Sequence, residues 1–438
     1  MKGTYILSYF LILLPLKCLL AQSFVISEKN PMPMKVSNNA VTEAFVNGDA
    51  YVYSFAGIDS TKDHNGIGLW AFRYNIQTDV WDSIAPLPDS IGKIAASANR
   101  VKNLIYIIGG YYVFDNGSEL SSNKVHIYDP QSNSYLADGA AIPVPIDDQV
   151  QAVWRDSLIY VITGWSQFRN VVDVQIYNPA LNIWTSGSPV PNFGSYKSFG
   201  SSGTIVGDTI FYFGGASSNG QQNFPIQNSL RMGIIDANDP SLIHWRDTIL
   251  DPGLKGYRMA CTQIKGNIHW IGGSNRTYNY DGLAYSNGQG VEPLNRNLFL
   301  EPESLKWASD SSSSQSFPMD LRGIAEVSSN TRYIVGGMNS NQKVSNKTLK
   351  LEFVKNDFSL EINSSHELNI FPNPFHDFVW ISAMDNDYRE LILFNSLGQK
   401  VLEVSFRNKL RLDFSNFNDG IYFLKDGNGD FSIKLIKN

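Results

Sequence analysis

Cysteine is nearly absent from this sequence: Cys18 and Cys261 are the two in 438 residues. That excludes a disulfide-rich scaffold, so a large core has to supply the stability. Histidine is scarce as well, and none of the six (His64, His126, His244, His269, His366, His376) stands in HxH or HExxH spacing. No local metal site is written in the chain, and neither metal nor cofactor is expected. Charged residues make up 17%, against about 25% in ordinary domains. With 35 basic and 41 acidic side chains the net charge is −6. A general nucleic-acid binder needs a basic face to replace counterions, so that class is excluded. Phosphate-loop and GxSxG patterns are missing too. What the chain does have is 35 glycines, 19 prolines and 13% aromatic residues, the composition of a turn-rich globular protein.

The first segment reads as an address. Lys2 precedes the apolar stretch Tyr5 to Leu16, and Leu19-Leu20-Ala21 sets a small residue before Gln22. This is a secretory signal peptide over residues 1–21, cleaved after Ala21. Its apolar core of about 12 residues is short of the roughly 20 that a spanning helix needs, so no transmembrane anchor is expected. Lys17 stands before Cys18 where a lipoprotein signal has a small residue. Cleavage leaves Cys261 alone, in the apolar pattern Tyr257-Arg258-Met259-Ala260-Cys261, where it reads as a buried structural thiol.

The middle of the chain repeats. Short apolar strands end in a small pair at Ala56-Gly57, Gly109-Gly110, Thr163-Gly164, Gly214-Gly215, Gly272-Gly273 and Gly336-Gly337, with 51–64 residues between successive final glycines. A second mark follows: Tyr74 precedes Trp81, Tyr128 precedes Tyr135 and Tyr177 precedes Trp184, with weaker copies at Ile235/Trp245 and Leu300/Trp307. Each repeat reads as four antiparallel strands, the glycines allowing close backbone approach and the aromatics packing between neighbouring sheets. This spacing resembles the kelch repeat over roughly residues 24–355. The resemblance implies an all-β fold, a six-bladed β-propeller over residues 22–362. The sixth repeat lacks its last strand on the C-terminal side, and Phe24 to Met34 is expected to supply it and close the ring.

Asn363 to Glu367 forms a polar linker, after which about seven short strands follow, consistent with a small Ig-like β-sandwich over residues 368–438. Phe371-Pro372-Asn373-Pro374-Phe375, Leu391 to Gln399, Gly420-Ile421-Tyr422-Phe423 and the terminal Lys434-Leu435-Ile436-Lys437 occur in that order. Together they resemble the C-terminal sorting domain of type IX secretion in Bacteroidota. The resemblance implies recognition by that secretion machinery and a destination outside the cell or on the outer-membrane surface.

In a four-stranded blade, the turn after the double glycine and the segment leading into the next blade reach one face. The lead-in segments carry Lys93, Asp147-Asp148-Gln149, Tyr196-Lys197, Tyr257-Arg258 and Arg322; the turns carry Trp165 to Arg169 and Asn219 to Asn223. The fifth repeat has a long insertion from Ser274 to about Asn297, including Arg276, Tyr278 and Tyr280. Arg258, Tyr278, Arg276, Tyr280, Trp165, Lys197 and Asp148 are therefore the candidate ligand-binding residues, exposed around one rim. Amides, aromatic rings and guanidinium groups on a concavity suit a glycan, through hydroxyl hydrogen bonds and ring stacking. Asp147 and Asp148 are poor partners for acid/base work because adjacent strand residues point to opposite faces.

Two enzyme families with kelch propellers offer comparisons. Galactose oxidase needs a Tyr cross-linked to Cys and two His copper ligands, and no such set is apparent here. The N-acetylneuraminate epimerase family is six-bladed, secreted and metal-free, but its residues do not map onto this chain one by one. Two readings stand: a monomeric, non-catalytic propeller binding a glycan or cell-surface protein, and a sugar epimerase or mutarotase using the same rim. A narrow pocket with Arg258 facing a carboxylate favours the enzyme; an open rim favours binding.

Overall fold

The computed structural model describes residues 23–218, 224–251, 253–310, 316–354, 368–383, 389–426 and 432–437. The leader at 1–21, the turn at 219–223 and the linker at 363–367 lie outside them. The chain divides into two compact units, residues 1–354 and residues 355–438. Among the described residues no helix is long and apolar enough to cross a membrane.

The apolar runs before the glycine pairs explain the first unit. Ile105 to Ile108, Ile159 to Ile162, Ile210 to Phe213 and Ile268 to Ile271 are buried at every position. A strand can be continuously apolar only when both its faces are covered, and here each lies between two neighbouring sheets. Six antiparallel blade sheets result, each a path of four strands, the second with the short strand Glu119–Ser121 added beside Leu104–Val113. The innermost strands are Ala40–Val46, Ile94–Val101, Val150–Trp154, Ser202–Val206, Ala260–Ile264 and Ala325–Glu326. The outermost strands, such as Val80–Ile84, are partly or fully exposed.

The sixth sheet contains the N-terminal strand Ser23–Lys29, paired antiparallel with Thr348–Val354 from Ser23↔Val354 to Lys29↔Thr348. The ring is thus closed by the segment that the sequence nominated. Phe24 and Ile26 pack against the cluster of Ile271, Ile334 and Leu351 at this junction.

The glycine pairs set the spacing of the ring. Gly109 and Gly110 both have positive φ, 69° and 86°. A Cβ on Gly109 would collide with the carbonyl of Ile146 in the lead-in to the next blade, and one on Gly110 with the carbonyl of Ile94 in its own blade. The aromatic mark works from the other end of the sheet. Tyr74 and Trp81 rings lie 5.1 Å apart, Tyr177 and Trp184 rings 4.9 Å apart. Trp81 donates its indole N–H to the Asn30 carbonyl, and Trp184 to the Ala140 carbonyl, so each ring is tied to the blade before its own.

The second unit holds a three-stranded sheet (Leu368–Phe371, Phe378–Ala383, Lys409–Asp413) and a four-stranded sheet (Lys400–Phe406, Arg389–Asn395, Gly420–Asp426, Ser432–Lys437). Alternate residues such as Val379, Ile381, Leu391 and Leu393 point into one shared core. Asn373 donates its side-chain amide to the Lys434 carbonyl and accepts from the Ile436 amide, joining the opening and closing motifs of this unit.

Candidate functional site

In all six blades the lead-in segment pairs with the turn after the glycines. Ser37 bridges Ile58, Asp147 bridges Trp165, Phe199 bridges Ala216, Tyr257 bridges Ser274 and Met319 bridges Met338, while Ile94 meets Tyr111 in the second sheet. Among the described residues, the lead-in and turn segments therefore share one face. One residue per lead-in adopts left-handed backbone: Asn38, Ala95, Asp148, Gly200, Arg258 and Asp320, with φ between 49° and 65°. These six are linked round the channel mouth. Asp148 N–H donates to the Ala95 carbonyl, Gly200 N–H to Asp148, Arg258 N–H to Gly200 and Asn38 N–H to Asp320; Ala95 N–H donates to the Asn38 side chain and Leu321 N–H to the Arg258 carbonyl.

Arg258 closes the centre of this ring. Its Nε and Nη2 donate to Asp148 at 3.1 and 2.6 Å, and Nη1 donates to Asp320 at 2.9 Å. Arg322 adds a second cation, 3.0 Å from Asp148 Oδ1, and Ser37 Oγ donates to Asp320 at 2.7 Å. The guanidinium also lies 5.1 Å from the Tyr257 ring and 5.4 Å from the Tyr278 ring. Burial opposes ionisation at Asp148, but Arg258 and Arg322 outweigh it and hold the carboxyl below its ordinary range. At Asp320 burial wins over Arg258, and at Asp147 burial reinforced by Asp148 pushes the carboxyl well up.

The expected exposure of these residues needs correction. Arg258 is 1% exposed, Asp148 3% and Tyr278 0%. The reason is the fifth-blade insertion, which folds down over the mouth instead of standing around it. Tyr278 packs with Tyr257, Met319 and Met338, while Tyr280, partly buried, reaches the Ile94–Tyr111 cluster of the second blade. Trp165 is half-buried in the same cluster as Tyr278, through the edge-to-face series Trp165–Phe199–Tyr257–Tyr278 at 5.3, 5.9 and 5.1 Å. Lys197 is partly buried beside that series, and Arg276 is exposed.

Sequence reasoning passed over Asp320, which completes the Arg258 pair. A signal was present: Asp148, Arg258 and Asp320 all stand 15–17 residues before the final glycine of their repeat. It also passed over Phe193, which is 69% exposed, whereas Phe168 of the third-blade turn that it did single out is 86% exposed. Cys261, expected to be buried, is partly exposed on an inner strand facing the channel. Burial and the nearby Glu326 push its thiol well up, so it stays protonated. Among the described residues no group of three or more His, Cys, Asp or Glu is placed to hold a metal ion.

Known proteins resemble both units. Residues 95–135 match the Kelch motif, and residues 369–438 match the secretion system C-terminal sorting domain. Kelch-like protein 36 of Mus musculus is 24% identical over 170 residues, covering 39% of this chain and 25% of that protein. Kelch repeat and BTB domain-containing protein 12 of Danio rerio is 29% identical over 153 residues, covering 32% and 24%. The chain thus spans about a quarter of the length of the curated relatives it matches. The solved structure of YjhT aligns with a TM-score of 0.57 at 16% identity, covering 75% of this chain and 98% of that one, a likeness of fold. Fold and repeats together define a kelch-type β-propeller. This chain is such a propeller carrying a secretion-system sorting domain at its C-terminal end.

Proposed function

We propose that the protein is an exported binding propeller, delivered by type IX secretion, that meets a glycan or a cell-surface protein on the loop rim of blades 3 to 5. The observation that carries this reading is the contrast between a sealed centre and an exposed sector. All three nitrogens of Arg258 are engaged by carboxylates under the insertion. Outside it, Phe168, Phe193, Arg169 and Arg276 are exposed. Their loops adjoin: Ser218 N–H donates to Asn170 Oδ1, and Thr277 Oγ1 donates to the Phe224 carbonyl. Aromatic rings beside guanidinium groups on one surface suit ring stacking and charge-assisted hydrogen bonds.

A glycan-array screen with the full chain tests this, followed by Phe168→Ala and Arg276→Ala. Each variant should weaken a confirmed ligand by about 1–3 kcal/mol, the scale of one stacking or charge-assisted contact. Unchanged binding by both would place the site elsewhere. The sugar epimerase or mutarotase alternative draws on the buried Arg258–Asp148 pair. Anomerisation followed by NMR on any captured sugar separates it from binding alone.

A further inference from the structure

The four-stranded sheet of the second unit is apolar on both faces, and its core uses only one of them. Side chains alternate across a strand, so Leu391, Leu393, Tyr422, Leu424 and Leu435 point into the cluster shared with the three-stranded sheet. Their neighbours Ile392, Phe394, Ile421, Phe423 and Ile436 point the other way and take no part in that cluster. The outward face of a β-sandwich is ordinarily polar, because water covers it. Here the register lines the outward residues up: Phe394 stands opposite Phe423, and Ile421 opposite Ile436. With Ile392 beside Phe394 on the same strand face, they form one apolar stripe across three strands. Ile421 is 39% exposed and the other four are partly exposed. Single apolar residues on a surface need no explanation, but a contiguous patch marks an interaction site.

Cations frame the stripe. Lys425 lies opposite Ile392, its Nζ 5.4 Å from the centre of the Phe394 ring, and Lys434 lies opposite Phe423. Both are exposed, and among the described residues neither has a carboxylate partner, the ion pairs of this unit being Lys400–Glu403, Arg411–Asp413 and Lys437–Asp419. The three-stranded sheet differs. Its outward rings Phe378 and Trp380 are capped, by Arg411 at 4.2 Å and Lys409 at 4.3 Å, which leaves Phe371, 50% exposed, as the open ring at its edge. The origin of the stripe narrows the choice of partner. Ile392 and Phe394 lie in the segment Leu391 to Gln399, Ile421 and Phe423 in Gly420-Ile421-Tyr422-Phe423, and Lys434 and Ile436 in the terminal Lys434-Leu435-Ile436-Lys437. These are three of the four pieces behind the sorting-domain resemblance, and residues 369–438 match that domain. The core accounts for the inward half of each piece, and nothing in the fold requires the outward half to be apolar.

Given the reading of residues 369–438 as a sorting domain, on which this rests, we propose that the stripe of Ile392, Phe394, Ile421, Phe423 and Ile436, framed by Lys425 and Lys434, is the face by which the secretion machinery holds this unit. The contacting component is a protein surface with an apolar centre and carboxylates around it. The apolar anchors supply affinity, and the lysines steer a partner of opposite charge into place.

The full chain is expressed in a type IX-secreting host, and pulse-chase labelling follows its passage from periplasm to surface and medium. Ile421→Thr/Phe423→Thr removes the apolar contacts but keeps a β-branched residue on the strand. It should slow export about tenfold, the scale of losing an interface anchor. Lys434→Glu should slow export about threefold, by setting a negative charge against an acidic partner. Trp380→Thr, on the outward face of the other sheet, should leave the rate unchanged. Hydrogen exchange at Leu424 and Leu435 in the purified full chains serves as the folding control, and Ile421→Thr alone is the milder change should the pair loosen the sheet. Export of the double variant or of Lys434→Glu at the parent rate overturns the proposal, as does an equal loss from Trp380→Thr. Sedimentation of the purified parent tests a second copy as the occupant, and a dimer broken by Ile421→Thr/Phe423→Thr also overturns it. Deletion of residues 366–438 separates this face from the sorting reading. Export of the truncated chain would sink that reading itself, whereas its retention beside normal export of the stripe variants would sink the stripe alone.

Discussion

Arg258 and Asp148 stand 110 positions apart in the chain and meet through two hydrogen bonds, Nε to Oδ1 at 3.1 Å and Nη2 to Oδ2 at 2.6 Å. They come from the fifth and third blades, and Asp320 of the sixth blade joins them on the remaining nitrogen. One side chain thus binds three blades to each other across the mouth. Because the group is buried, the interaction is not screened as a surface pair would be.

Removing that cation should be costly. Arg258→Ala leaves Asp320 without its cation and Asp148 with Arg322 alone, and breaking a buried pair from one side costs about 3–5 kcal/mol. Urea unfolding should show this loss, whereas Arg276→Ala, exposed on the rim, should stay within about 0.5 kcal/mol. Equal effects from the two variants would mean that Arg258 does not hold the blades together.

Acid should loosen the closing junction through His269. This ring is buried between Phe24 and Phe299, its centre 5.5 Å from each, and burial pushes its pKa down to about 4. The unfolded chain takes up a proton near 6.5, so between 6.5 and 4 it binds more protons than the folded chain. Stability from this group is complete above pH 6.5 and declines by about 3 kcal/mol as the pH falls to 4. His269→Phe should flatten the pH dependence in that window. A parallel profile for wild type and variant would refute the assignment.

Deleting residues 23–34 removes the strand paired with Thr348–Val354 and exposes that edge. Melting temperature and solubility should fall together. An unchanged melting temperature would show that the sixth sheet tolerates an open edge.

Deleting residues 366–438 should leave the propeller folded and strand it in the periplasm. The sorting domain is a separate compact unit with its own core. Surface or medium localisation of the truncated protein would remove the case for type IX delivery.

The blades were legible in the sequence because their signals are local. A glycine pair, a Tyr and a Trp seven positions on each fall within one repeat, and Ser23–Lys29 could be nominated because the sixth repeat lacked a strand. The site was less legible because its meaning lies between repeats. An arginine in a lead-in segment reads as exposed, since Arg is rarely buried without a partner, and the partners of Arg258 are 110 and 62 residues away. The insertion from Ser274 was visible as extra length, but its length does not say whether it stands up or folds over. Tyr278 and Tyr280 decide that by finding apolar clusters on the far side of the mouth.

The pairing of Ser23 with Val354 also sets an order of events. Nearly the whole propeller sequence intervenes between the two, so the closing contact has the largest sequence separation in the ring and its loop entropy is met last. Five sheets can assemble from neighbouring hairpins as the chain arrives, whereas the sixth has to wait for its two ends. A chain threaded across a membrane from its N-terminus would therefore carry its first strand unpaired until Thr348–Val354 had followed, and the exported ring would become complete only near the end of its passage.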